Sequence, residues 1–112
     1  MLFHVKHTPK TPMYNGPMAS LHRLESVTPD RTVRGVLITW DDDPNDVVRK
    51  VCSWRSGEPV DVPQTARKLV EGVIEELRAM GRMDLIEWTN WVSLTAGICT
   101  LVAGWNDGLP GA

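Results

Sequence analysis

The motifs that mark phosphate binding and the common hydrolytic chemistries are missing from this chain. It has no GxSxG, GxxxxGK[ST], GxGxxG, CxxC or HExxH, and without them the sequence points to no catalytic machinery. Cysteine is scarce. Cys52 and Cys99 are the only two, too few for a disulfide framework, and each reads as a small buried hydrophobe in a reduced, cytosolic setting. The opening residues MLFHVKH lack the long apolar run of a signal peptide. A large excess of one charge is also missing. The net charge is −2, which speaks against a nucleic-acid or anionic-lipid surface.

Metal and nucleophile candidates fail on their spacing. The acidic run Asp41, Asp42, Asp43, Asn45, Asp46 invites a Ca²⁺ loop. Counted from Asp41, however, the glycine position is Asp46 and the bidentate glutamate position is Cys52. His4 and His7 have no cysteine or carboxylate beside them to complete a tetrahedral site, and His22 belongs with Arg23, Arg31 and Arg34 to a loose basic patch. All three histidines are far in sequence from either cysteine, so no thiol has a base near it along the chain. The reading is therefore no catalytic, cofactor-binding or metal-binding residue, and no cofactor.

What the chain does contain is 112 residues of ordinary globular composition, 42 % apolar and 23 % charged. That is enough for one domain with a small core. Charge is unevenly spread. Residues 1–35 hold five cations and two anions, +3, and residues 36–112 the remaining seven cations and twelve anions, −5. Residues 1–20 carry Pro9, Pro12 and Pro17 and show no periodic face. They read as an extended or disordered arm ahead of a single domain at 21–112. Phe3 and Tyr14, the chain's only Phe and Tyr, lie in that arm. A purely solvated tail has little use for them, so both are candidate contacts with a partner.

Within the domain, 21–31 allows a short helical turn followed by a Thr28-Pro29-Asp30 turn. The segment 32–40, TVRGVLITW, is β-branched and apolar on both sides, and is the one main strand expected. Asp43-Pro44 resembles a helix start, and Val47, Val48, Val51 and Cys52 recur on one helical face, which predicts a helix over 44–55. A hairpin with VVRKVCSW as its second strand competes on β-branched content; the agreement of cap and period favours the helix. A second helix, 64–80, has Ala66, Leu69, Val70, Val73, Ile74 and Leu77 on its apolar side. Asp61 is placed to cap it, and Gly81 to end it.

The third helix is predicted over 84–105, forming an antiparallel hairpin with the second. No charge occurs between Glu87 and Asp107, and Trp88, Trp91 and Trp105 stand in this stretch. Thr89, Asn90, Ser93, Thr95 and Thr100 dilute it, and no basic residue flanks its end, so a membrane span is not the reading. A domain this small cannot bury three tryptophans and the whole girth of the helix, so part of it should meet another chain.

The fold class expected is α+β. The expected function is a non-catalytic protein–protein building block or assembly factor. It would be homo-oligomeric or part of a larger particle, and its interface residues Phe3, Tyr14, Trp88, Trp91 and Trp105. Its partners are other copies of itself or another protein, with no nucleic acid and no membrane. Small size, a Pro-containing arm and an uncharged Trp-bearing helix fit the character of small phage proteins, so the place is cytoplasmic or in a virion. The alternatives are a small inhibitor or adaptor that binds a host protein through an acidic face, and, after it, a small enzyme or ligand-binding domain.

Overall fold

The structure, a computed structural model, describes residues 6–7, 18–41 and 43–107. It is α+β: among the described residues there are three long antiparallel strands, one two-residue strand beside them and three helices. The strands are β1 (Lys6–His7), β2 (Ala19–Val27), β3 (Arg31–Trp40) and β4 (Asp43–Arg55), in the spatial order β1-β2-β3-β4. The helices are α1 (Val62–Ala79), α2 (Met83–Trp88) and α3 (Trp91–Gly104).

The single strand expected over 32–40 is thus the middle of a meander. Residues read as a possible helical turn, 21–27, form part of β2, and the expected helix over 44–55 is β4. The reason lies in β3. Its apolar residues on both sides need neighbours on both edges, and β2 and β4 provide them residue by residue, Leu21 opposite Ile38 and Val48 opposite Ile38. In β4 the valines follow a two-residue period: Val48 is 1 % exposed while Val47 and Val51 are 39 % and 50 % exposed. Asp43-Pro44, read as a helix cap, opens an edge strand instead, a place where proline removes no needed ladder bond. A register shift at Thr39/Trp40 marks the turn between β3 and β4. Thr28 closes the turn between β2 and β3, its backbone N and Oγ1 both donating to Arg31 O.

Gly35 lies opposite Val51. A Cβ there would meet Lys50 O and come within 2.7 Å of the Val51 Cα, so β4 can approach β3 this closely only past a glycine.

The second helix forms where expected. Asp61 Oδ1 accepts from Gln64 N at 2.9 Å, Pro63 sits in the first turn, and Ala66, Leu69, Val73 and Leu77 are buried. Beyond it, Gly81 takes a φ of +75° that other residues rarely adopt. The expected continuous helix over 84–105 is instead broken at Thr89 and Asn90. Thr89 is extended, Asn90 Oδ1 caps α3 by accepting from Ser93 N at 3.2 Å, and Trp91 Nε1 donates to Ile86 O at 2.7 Å, satisfying a carbonyl at the end of α2. The break is anchored in the sheet, where the buried Trp40 Nε1 donates to Thr89 Oγ1 at 3.0 Å.

The helices cover one face of the sheet. Leu21, Val36, Ile38, Trp40 and Val48 from the strands meet Leu69, Val73, Leu77, Leu85, Leu94, Ile98 and Val102 from the helices. The other face carries Leu24, Val33, Leu37, Val47, Arg49 and Val51.

Candidate protein-binding surfaces

The charge-free stretch has two unlike ends. At its far end Trp105 is 4 % exposed and stacks on Trp54, ring centroids 5.6 Å apart. Arg34 pins this end: its Nη1 donates to Trp105 O at 3.0 Å, and its Nε and Nη2 donate to Glu25 Oε1 at 3.1 and 2.8 Å. A cation bound to the last carbonyls of α3 also complements the helix dipole. Asn106 makes a second clasp, accepting from Val60 N at 2.9 Å and donating to Val60 O at 3.0 Å. Trp105 is therefore a core residue of its own chain.

Beside the two rings lies an open cleft of about 150 Å³. Arg34, Glu58, Asp107, Thr32 and Ser56 are among its walls. Its polar groups are largely committed: Arg34 to Glu25, and Thr32 Oγ1 to Ser56 Oγ at 2.9 Å, whose hydroxyl in turn donates to Thr28 O. The Trp105 Nε1 is buried and meets no acceptor among the described residues.

At the near end the aromatic surface is open. Trp88 is 56 % exposed and Met83 53 %, and Val92 at the start of α3 is 83 % exposed. Along α3, Ala96, Thr100, Ala103 and Gly104 are also exposed. Val92, Ala96, Thr100 and Gly104 follow at four-residue steps, so the outer side of α3 presents one stripe without a charge. Leu94, Gly97, Ile98 and Val102 face inward. Trp91 is half-buried, its ring nitrogen spent on Ile86 O. Phe3 and Tyr14 lie outside the described residues. Of the three singled-out residues among those described, Trp88 is the one that presents a large open surface.

The start of α2 is braced by charge. Arg82 holds Asp84 through two bonds of 3.0 and 2.9 Å and also pairs with the buried Asp46. The Arg82 hydrogen bonds hold the Asp84 carboxyl below its ordinary range. A lowered pKa makes this contribution complete above the usual carboxylate range, and it is lost as pH falls through the lowered value.

Burial pushes the Cys52 thiol up, against the opposing pull of Lys68, a direction that favours the thiol over the thiolate. His22 Nε2 is 3.3 Å from Thr39 Oγ1 on the sheet. Among the described residues no three His, Cys, Asp or Glu side chains gather as a metal site would require. No described helix is long and apolar enough to cross a membrane.

The sequence reading missed the outer edge of β4, which ends the sheet. The signal was present in the β-branched run around Val47, Val48 and Val51. Comparison with known proteins adds no further guide: no family model, curated protein or solved structure matches this chain.

Proposed function

We propose that this chain is a non-catalytic building block, a subunit that associates with copies of itself or with another protein to form a larger assembly. The observation that carries the reading is the charge-free outer side of α3 with Trp88 and Val92 at its head, 56 % and 83 % exposed. Small residues at Ala96, Thr100 and Gly104 allow a neighbouring backbone to come close along the same line. Tryptophan at such a place is the residue type most enriched among interface hot spots. A single exposed Leu or Val needs no explanation, but a large exposed aromatic just ahead of an uncharged helix side does.

The test is Val92→Glu. At 83 % exposure the glutamate stays in solvent in the free subunit, so thermal unfolding should be unchanged. In the assembly it would bury an unpaired charge. Sedimentation should then show the wild type heavier than one chain and Val92→Glu lighter. A wild type that stays monomeric at every concentration, with or without its source lysate, removes the reading. A monomer that captures one protein through its acidic side chains favours the inhibitor or adaptor.

A further inference from the structure

We propose that the outward face of β4, at the open edge of the sheet, binds an acidic segment of another protein. Arg31, Arg49 and Arg55 receive its carboxylates, and Val51 and Val33 its apolar side chains. The surface is separate from α3, and the proposal goes beyond the assembly reading.

The helices cover the opposite face of the sheet, where Val48 is buried. On the outward face Val47, Arg49, Val51, Ser53 and Arg55 are all exposed. Arg31 of β3 is exposed as well and stands directly opposite Arg55. Like charges directly opposite are unfavourable, and no acid among the described residues offsets these. Arg31 Nε donates to the neutral Ser53 Oγ at 2.8 Å, and neither Arg49 nor Arg55 meets a carboxylate among the described residues. On the helix side, by contrast, Arg34 is paired with Glu25 and Lys50 with Glu76. The described outward positions of β2, of β3 and of β4 from Asn45 to Arg55 hold no acid. Between the arginines lies apolar ground. Val51 is 50 % exposed, and a shallow hollow of about 60 Å³ has Leu24, Val33, Arg49 and Val51 among its walls. Glu25 borders the hollow too, but its carboxylate is committed to Arg34 at 2.8 Å.

The chemistry of the occupant follows from this pattern. Three cations with no acid among them call for anions, and arginine takes a carboxylate through two parallel bonds. A carboxylate between Arg31 and Arg55 would relieve their opposition. From Arg49 to Arg55 is about 20 Å along a strand. A small anion cannot reach both, so the occupant is a chain with acids on either side of an apolar middle. Nucleic acid fits this face less well. A duplex carries one charge per about 1.7 Å of its axis, far denser than three arginines over this distance. The described outward positions also hold no Phe, Tyr or Trp on which a base could stack. Arginine around an apolar centre is the composition of a protein contact.

The experiment titrates the full chain with a synthetic peptide, Glu-Glu-Val-Ser-Val-Glu-Glu. A version with Lys in place of Glu, and a DNA duplex, are the comparisons. The glutamate peptide should bind and the lysine peptide should not. Arg49→Glu and Arg55→Glu should each raise its dissociation constant about tenfold or more. Arg67→Glu, exposed on α1, should leave it unchanged. Arg55→Glu should also raise the melting temperature of the isolated chain, because it turns the opposition to Arg31 into an attraction. A chain with both β4 substitutions should bind the lysine peptide instead. No binding of the glutamate peptide, an equal loss with Arg67→Glu, or a duplex that binds where the peptide does not overturns the proposal. Val92→Glu should bind the glutamate peptide as the wild type does. A chain that stays monomeric yet binds this peptide through Arg49 and Arg55 removes the assembly reading and leaves this one standing.

Discussion

Trp88 and Trp105 bracket the same uncharged stretch, yet one is 56 % exposed and the other 4 %. Hydrophobicity cannot be the cause, because the residue type is identical. The difference is in what each end finds nearby. Trp105 has a ring to stack on, Trp54, and two polar clasps, Arg34 of β3 and Asn106 to Val60 ahead of α1, that hold the end of α3 in place. Trp88 ends a six-residue helix whose fixed contacts point elsewhere, Leu85 into the core and Thr89 to Trp40. Both ends have polar anchors nearby, and what Trp105 has in addition is a ring to stack on, Trp54.

The largest effect expected from this comparison is Trp105→Ala. Removing a buried tryptophan should cost about 3–5 kcal/mol, a large share of a small domain's stability. Denaturant titration of the isolated chain measures it. A loss below about 0.5 kcal/mol would mean that the Trp54–Trp105 stack is not part of the core.

The placement of Trp105 also shows why the sequence misleads here. Read alone, the far end of the last helix has little material to cover it, which made Trp105 an interface candidate. Trp54 is the missing cover, and it stands on β4, a segment that satisfies a helical period at Val47, Val48, Val51 and Cys52 as well as a strand period. Only pairing with β3 decides between the two, and that pairing is non-local. By contrast α1 was legible throughout, because its cap Asp61, its face Ala66, Leu69, Val73 and Leu77, and its stop Gly81 are all local signals. The break at Thr89-Asn90 lies between these cases. Asn90 and Ser93 have the spacing of a cap, but the reason to break there is Trp40, 49 positions earlier. Of the candidate surfaces, Trp88 was legible as an aromatic without a guaranteed core position. The edge of β4 became visible only once β4 was a strand.

A middle effect is expected at the clasp. Asn106→Ala removes both bonds to Val60 and leaves a half-buried N–H and C=O without their partner. Such a loss costs about 1–3 kcal/mol. Hydrogen exchange locates it, since the Val60 amide should lose protection while the amides of Leu69 and Val73 on α1 keep theirs. If protection falls equally everywhere, Asn106 supports the whole fold rather than this end of α3.

The smallest stability effect is expected at the other tryptophan, and it is the sharpest contrast. Trp88→Ala deletes the same side chain as Trp105→Ala, from the same uncharged stretch, but from a site 56 % exposed. Its ring nitrogen makes no bond among the described residues, and the start of the same helix is already held by Arg82 to Asp84 and Asp46. Unfolding measured at a concentration where the chain is monomeric should therefore shift by no more than about 0.5 kcal/mol. The assembly should respond in the opposite order, with Trp88→Ala weakening association by about 2 kcal/mol, as truncation of an interface aromatic does. Paired measurement on one sample series decides the matter. A Trp88→Ala chain that unfolds several kcal/mol more easily would place Trp88 in the core after all, and one that loses neither stability nor association would leave its exposure without a purpose.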